Sequence, residues 1–384
     1  MTLGLLPALG GGLGELAATG QAGRLLEGYL ARYAGAFERV LYFSYLVEAL
    51  GDFTRDPLLL GRVELVAPPA RMSRGRRAVT LAWTEAARLR RCAVLRVFQI
   101  TGTVPALVVR ARLGVPYVTT YGFSYAQLSR RGPRRLLKAA VERLGLRRAA
   151  AVIATTPALE ARAARLSRHV HLIPNGVDTA RFAPAARVSR GGVRRVLYVG
   201  RFSPEKNLET VVTAAARLAR TVPLRLVLVG AGPLQDALRA QAVSAGLEVE
   251  LPGVVPQERL PAVYAGADAF VLASFTEGHP KVLLEAMAAG VPCVASDCEG
   301  NRSLVADGRT GLLFDAHRPD ELAQRLERLL ADAALADGLA AAARVMVVDR
   351  YDLGRLVAVE IALLKRVGES GQASATAVHG ALSD

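Results

Sequence analysis

This chain has few of the residues that staple, stack or anchor a protein. Its three cysteines, Cys92, Cys293 and Cys298, are too few for a disulfide framework, and none forms a Cys-x-x-Cys pair. Reduced, packed thiols are therefore expected. Aromatic residues make up 5% of the chain and do not alternate with the basic runs RMSRGRR (71–77), RLRR (88–91) and SRRGPRRLLK (129–138). That argues against a platform on which single-stranded nucleic acid stacks, and no recognised nucleic-acid-reading module accompanies the basic runs. No apolar run reaches the ~18 residues of a membrane-spanning helix. The opening LGLLPAL lacks a basic flank and a cleavage site and runs into glycines, so no secretory signal is expected and the cytoplasm is the expected location. No histidine precedes His169, which removes a histidine general base from the first half.

What is present reads as globular. Hydrophobic residues make up 52% and charged residues 22% of 384 positions, enough for about two domains. The net charge of +15 is unevenly placed: residues 1–185 carry 27 Lys/Arg against 11 Asp/Glu, and residues 186–384 carry 22 against 23. A one-sided basic field faces an anionic partner or is simply a solvated arginine-rich surface. The segment APAARVSRGG (183–192) follows this charge boundary and is small, polar and glycine-rich, as a linker would be.

Beyond it, RRVLYVG (194–200), LRLVLVG (224–230), VELPG (249–253), AFVLAS (269–274) and PCVAS (292–296) read as strands. Helical segments alternate with them: Asn207 to Leu218, 233–246, 257–267 and 281–290. Apolar strands alternating with amphipathic helices specify a parallel sheet covered on both faces. The first half repeats the pattern with LGLLPAL, VLYFSYL (40–46), VELVAPP (63–69), AVLRVFQI (93–100), PYVTTYG (116–122) and AAVIATT (150–156), and with helices at 14–33 and 132–147. The expected division is a first α/β domain over 1–182, a linker over 183–193 and a second Rossmann-like domain over 194–345. A helix over 346–367 would pack back on the first domain, and the tail 368–384 lacks core-forming periodicity and is expected to be mobile. Two doubly wound domains leave a cleft at the C-terminal ends of their strands, where ligands bind in such folds.

The stretch EGHPKVLLE (277–285) gives that cleft its chemistry. Pro280 opens a helix where its missing N–H costs nothing. The loop and first turn, Gly278 to Leu283, then offer N–H groups and the positive end of a helix dipole to an anion such as a diphosphate. Glu277 projects from the loop above, and Glu285 lies roughly 7 Å further along the helix. Two carboxylates on opposite sides of an anion site suit a sugar–diphosphate–nucleoside, which has hydroxyls at both ends. Arg201 and Lys206, in VGRFSPEKN (199–207), add two cations at the same sheet edge, able to neutralise a leaving diphosphate without a metal. Taken alone, each carboxylate reads as a cap or a solvated loop residue and each cation as surface charge.

With these residues in view, VGRFSPEKNLETVV, VLVGAGPL, IPNGVDTARFAP (173–184) and FTEGHPKVLLEAMAAGVPCVAS resemble the retaining GT-B glycosyltransferases of family 4. LPALGGGLGELA (6–17) resembles the glycine-rich acceptor-side loop of that family. The resemblance covers residues 1 to about 367, is strong over 173–315 and weak over 50–150. It implies two Rossmann-like domains facing each other across a cleft, and sugar transfer from a nucleotide-sugar to an acceptor hydroxyl with retained configuration, in envelope polysaccharide or glycolipid synthesis. No cofactor and no obligatory metal are implied. Carried over by position, Arg201 and Lys206 hold the diphosphate and Glu285 the ribose. Glu277 holds the donor sugar, with the backbone of Gly278, His279, Pro280 and Lys281. Val282 and Leu283 amides meet the phosphates, Val254 lies near the base, and Gly12 belongs to the acceptor side. Many members carry a histidine after the strand corresponding to PYVTT. Here the stretch reads TTYGFSYAQ, which leaves Tyr121, Ser124 and Tyr125 as candidates for acceptor positioning, or as packing under the cleft. His279 has no metal-ligand company and reads as a wall of the sugar pocket.

Two other readings compete. GLGELA (12–17) fits the G-x-G-x-x-A pattern of a nicotinamide-dependent oxidoreductase. The acidic partner expected after the next strand is offered only by Glu48, beyond its place. A basic nucleic-acid-binding protein is the second. The segment 130–148 also bears on partners. Leu136, Leu137, Ala140, Val141 and Leu144 form one stripe among Arg134, Arg135, Lys138, Arg143, Arg147 and Arg148. Such a helix either turns its stripe to its own core or lies on the anionic inner face of the cell membrane, where a lipid-linked acceptor would be found.

Overall fold

The structure, a computed structural model, describes residues 1–70, 72–123, 133–185 and 192–380. Side chains of residues 133–134 and 372–380 lie outside the description, as do Ser124, Tyr125, Arg71 and residues 129–132 of the basic runs. Packing divides the chain into two units, Met1–Pro174 with Leu356–Asp384, and Asn175–Arg355. Residues 175–182 fall with the second unit because Val177 bridges to Asp352 and Phe182 is buried in that unit's core.

The first unit holds β1 (Thr2–Leu6), α1 (Leu13–Ala18), β2 (Arg39–Phe43), β3 (Val63–Val66), α2 (Arg74–Thr84), β4 (Cys92–Val97), α3 (Thr103–Leu113), β5 (Tyr117–Tyr121), α4 (Pro133–Arg148), β6 (Ala151–Ala154) and β7 (Val170–Leu172). Its strands pair in the order β3-β2-β1-β4-β5-β6-β7, all parallel. The single helix expected over 14–33 is broken at Gly20, whose φ of 69° is the left-handed conformation that ends helices. A π-helical turn, Leu26–Leu30, interrupts the part that follows.

The second unit runs β8 (Arg194–Val199), α5 (Leu208–Leu218), β9 (Leu224–Val229), α6 (Gln235–Ser244), β10 (Val249–Gly253), α7 (Leu260–Ala265), β11 (Ala269–Leu272), α8 (Lys281–Ala288), β12 (Cys293–Ser296), α9 (Glu299–Arg302), β13 (Leu312–Phe314), α10 (Pro319–Ala331) and α11 (Ala333–Arg350). Its sheet, β10-β9-β8-β11-β12-β13, is again parallel. Strands β8, β9, β11 and β12 are buried almost throughout. This is why they read as unbroken apolar runs.

The last helix, α12 (Leu353–Gly380), runs on past residue 368, where a tail without core-forming periodicity was expected, and residues 381–384 lie outside the described residues. Small residues carry it against the first unit: a Cβ on Gly368 would stand 3.2 Å from Ala93 Cβ, and one on Gly371 would stand 2.9 Å from Pro116 Cγ. Close approach through glycine leaves no apolar period in the sequence. Upstream, Glu360 is buried and accepts from Arg96 Nε and Tyr33 OH. Burial, first, and the Glu360 carboxylate push the Tyr33 phenol well above its ordinary pKa.

Helix α4 packs by a face other than its leucine stripe. Leu146 is buried, and Gly145 stands so close to Thr103 that a Cβ would lie 2.6 Å from Thr103 Oγ1. Leu136, Leu137 and Leu144 are 73%, 67% and 47% exposed, among exposed Arg135, Lys138, Arg143, Arg147 and Arg148. Among the described residues no helix is long and apolar enough to cross a membrane.

Removing one partner of a buried ion pair leaves the other charge uncompensated, at a cost of about 3–5 kcal/mol. Glu360→Ala is therefore expected to lower the unfolding midpoint of the first unit by several degrees in a calorimetric scan. Substituting the exposed Glu38 with alanine should barely move it.

Candidate active site

Parallel pairing makes the chain leave every strand of the second sheet at one edge, and three of those exits, after β8, β10 and β11, carry the residues singled out above. The loop after β8 bears Arg201 and Lys206. Its path is set by backbone contact: a Cβ on Gly230 would meet Gly200 O at 1.9 Å, and one on Gly232 would meet Phe202 O at 2.3 Å. Arg201 is exposed, and its carbonyl accepts from Tyr198 OH at 3.0 Å. Lys206 ends a short 3-10 turn, Pro204–Lys206, that Asn207 closes in the left-handed conformation (φ 55°). Asparagine tolerates that region better than most residues. Here its Nδ2 also donates to Ala273 O at 3.2 Å and Ala316 O at 2.7 Å. The lysine turn is thereby tied to the chain leaving β11 and β13.

Lys206 Nζ lies 2.6 Å from Glu277 Oε1. The same oxygen accepts from Ser274 Oγ at 2.6 Å. Residues separated in sequence by six strand and helix elements thus meet at one atom. Gly278 and the Glu277 carbonyl lie on Gly300, where a Cβ would come within 2.4–2.6 Å of their oxygens. Pro280 is the cap of α8, with extended backbone (ψ 114°), one residue before the place expected for it. The amides of Val282 and Leu283 follow in the first turn, where no carbonyl of the helix can reach them.

His279 is buried, with its ring 5.3 Å from that of Tyr351, and its carbonyl accepts from Asn175 Nδ2 at 2.7 Å. Its Nδ1 is buried without a hydrogen-bond partner among the described residues. Burial, with the Lys281 charge second, holds the imidazole pKa down at about 3, so the ring is neutral near pH 7. Glu285 is also buried, one turn further along α8. Its Oε1 accepts from Gln257 Nε2 at 3.0 Å and its Oε2 from Tyr264 OH at 3.1 Å. These bonds orient the carboxylate. Val254 is 40% exposed, just past β10.

The two remaining candidates belong to the first unit. Gly12 adjoins Glu48: a Cβ there would stand 2.7 Å from Glu48 Oε1 and from Ser44 Oγ. Glu48 itself accepts from the amides of Leu13 (2.9 Å) and Gly14 (2.8 Å). The amides on which a dinucleotide's pyrophosphate would rest are engaged by the chain's own carboxylate. Tyr121 is buried, and its hydroxyl donates to Glu142 Oε1 at 2.9 Å.

Residues 181–346 match the family described as Glycosyl transferases group 1, and residues 43–181 match Glycosyltransferase Family 4. The chain belongs to the family 4 glycosyltransferases. This family 4 chain is 38% identical over 181 residues to D-inositol 3-phosphate glycosyltransferase of Nocardia farcinica, covering 42% of this chain and 40% of the relative. It is 37% identical over 204 residues to GDP-mannose-dependent alpha-(1-6)-phosphatidylinositol monomannoside mannosyltransferase of Mycobacterium tuberculosis, covering 48% and 53%. The chain spans about half the length of the curated relatives it matches. Among solved structures, sucrose-phosphate synthase from Thermosynechococcus elongatus is similar with a TM-score of 0.80 at 22% identity, over 96% of this chain and 100% of that one. Anabaena HepE, in complex with UDP and glucose, follows at 0.76 and 20%, over 95% and 100%. These likenesses show the fold class of the family 4 chain, GT-B with two parallel-sheet α/β domains.

Several residues of this edge were not legible beforehand. Ser274, Gln257, Tyr264, Asn207 and Asn175 act through hydrogen bonds to residues distant in sequence, which leave no period. Tyr264 reads as an ordinary core aromatic, and its ring does pack against Phe182 and Phe270.

Folding lowers the His279 pKa, so between about pH 6.5 and the folded value of about 3 the unfolded chain binds the extra proton. Stability then falls as pH falls through that window. His279→Phe is expected to flatten the dependence of Tm on pH between 7 and 4.5, with an equal or higher Tm at pH 5. An unchanged slope in thermal unfolding followed by circular dichroism would assign the titration elsewhere.

Proposed function

We propose that this chain moves a sugar from a nucleotide-sugar to an acceptor hydroxyl with retention of configuration and without an obligatory divalent metal. The observation that carries the reading is the meeting of Lys206 and Glu277 beside the first turn of α8. A cation and helix-terminal amides suit a diphosphate, and a carboxylate next to them suits a sugar hydroxyl. In this reading Arg201, Lys206 and the amides of Val282 and Leu283 stabilise the charge that grows on the leaving diphosphate. Glu277 and the backbone of Gly278, His279, Pro280 and Lys281 hold the sugar. Glu285, oriented by Gln257 and Tyr264, takes the ribose hydroxyls, and Val254 borders the base. The bond from the anomeric carbon to phosphate breaks on the face where the acceptor oxygen bonds, and the acceptor's proton passes to the departing phosphate oxygen.

The acceptor reading is a lipid-linked sugar in envelope polysaccharide or glycolipid synthesis, on the cytoplasmic side of the cell membrane. The names of the mycobacterial relatives favour a glycolipid and a GDP-mannose donor. The exposed leucines of α4 among exposed cations support peripheral attachment to an anionic bilayer. Each basic residue near such a surface contributes about 1 kcal/mol.

Two measurements test this. Titration calorimetry with a nucleoside diphosphate should show Glu285→Ala weakening binding about 10- to 100-fold. Glu277→Ala should leave it nearly unchanged while abolishing the gain from the attached sugar. Equal losses in both variants would overturn the assigned polarity. Liposome sedimentation should show binding to anionic vesicles that is absent from neutral ones and weakens at high salt. Glu at Arg135, Lys138 and Arg143 should reduce it. Equal binding to both vesicle types, or to neither, would leave a water-borne acceptor as the better reading.

A further inference from the structure

The carboxylate of Glu277 is held from below as well as from the side. Oε1 takes both of its hydrogen bonds, from Lys206 and from Ser274, and among the described residues Oε2 makes none. Ser274 is fully buried and is fixed at two atoms: its hydroxyl donates to Glu277, and its carbonyl accepts from Ser296 Oγ at 2.6 Å. Ser296, also fully buried, accepts in turn from Asn301 Nδ2, at its hydroxyl (3.0 Å) and at its carbonyl (2.9 Å). Asn301 is fully buried in the short helix α9. That helix also presents Gly300 to the backbone of Glu277 and Gly278.

The direction of each bond is set by chemistry. An amide nitrogen can only donate, so the Ser296 hydroxyl receives it and spends its own proton on the Ser274 carbonyl. The Ser274 hydroxyl then has the carboxylate as its acceptor. The last paired residues of β11 and β12 are Leu272 and Ala295, so this chain of side chains continues the sheet past its ladder and ends on Glu277. A carboxylate on a loop with several rotatable bonds would sample many positions. One whose Oε1 is pinned by a buried hydroxyl and an ammonium presents Oε2 in one direction.

From this network the structure assigns Ser274, Ser296 and Asn301 as positioning residues that aim Glu277 at the donor sugar and thereby set discrimination between a nucleotide-sugar and its bare nucleotide. The assignment rests on the donor reading above and deepens it. All three are fully buried and act through Glu277. Gln257 and Tyr264, outside this network, hold Glu285, so the network is expected to act on the sugar end.

The test uses the full chain and whichever pair among UDP and UDP-glucose, GDP and GDP-mannose, or ADP and ADP-glucose gives the largest thermal shift with the wild type. Titration calorimetry on Ser274→Ala is expected to weaken nucleotide-sugar affinity about tenfold, the loss of one hydrogen bond to a charged group. Affinity for the bare diphosphate should stay within about twofold, as unfolding controls keep Tm near the wild type. Asn301→Ala, two bonds removed from Glu277, should show the same split at smaller size and covers the case in which Ser274→Ala fails to fold. In the Glu277→Ala background, which removes the acceptor of the Ser274 hydroxyl, Ser274→Ala should change nothing further, because coupled residues are non-additive. Equal weakening of both ligands, or additive effects in the double variant, would overturn the assignment and reduce the network to support of the fold. Unchanged affinities in Ser274→Ala and Asn301→Ala, with Glu277→Ala still losing the sugar, would also overturn it while the donor reading stands. If none of the three pairs binds the wild type, the donor reading itself falls.

Discussion

Parallel pairing constrains everything else in this molecule. Two neighbouring parallel strands cannot be joined by a tight turn, so the chain must cross over through a helix. Each strand-to-helix loop then leaves from the same edge, and each helix begins there with its unpaired amides. In the second unit that rule brings together the loop after β8, the loop after β11 and the first turn of α8. No long-range attraction between Lys206 and Glu277 is needed to recruit them. The topology delivers them, and the 2.6 Å contact is what local side-chain geometry makes of that delivery.

The edge so formed is polar where the sheet is not, and its polar groups are mostly committed to one another. Asn207, Ser296 and Asn301 donate to backbone carbonyls, Asn301 also to the Ser296 hydroxyl, and Ser274 donates to Glu277. Glu285 spends two on Gln257 and Tyr264. Buried polar groups without partners are costly, so such a network is rigid once complete. Rigidity suits a site whose proposed work is to bind a charged, hydroxyl-rich ligand in one orientation and to meet growing negative charge without rearranging. The first unit uses the same economy differently. Glu48 closes the start of α1, and Glu360 is buried between Arg96 and Tyr33.

The GT-B class and most strands of both sheets were legible in the sequence, as was the placing of the candidate residues beside them, and for a shared reason. Buried parallel strands are continuous apolar runs, and a helix start is marked by proline, glycine and charge in fixed succession, as in EGHPKVLLE. Family 4 membership rests on the same stretches. Less legible were the short strands β7 and β13, and the break at Gly20. The continuation of the final helix past residue 368 was not legible either, because Gly368 and Gly371 approach their neighbours closely without an apolar period.

Local pattern by itself determined which residues stand at the sheet edge, since backbone pairing and helix starts depend on neighbours in the chain. Only the tertiary structure decided which of those residues touch. The oxygen of Glu277 that Lys206 and Ser274 share, the burial of Glu285 and His279, and the exposed stripe of α4 depend on packing between elements far apart in sequence. A stripe of leucines has the same spacing whether it faces a core or water. What chooses between them here is the close fit of Gly145 on Thr103, which turns the other side of the helix inward.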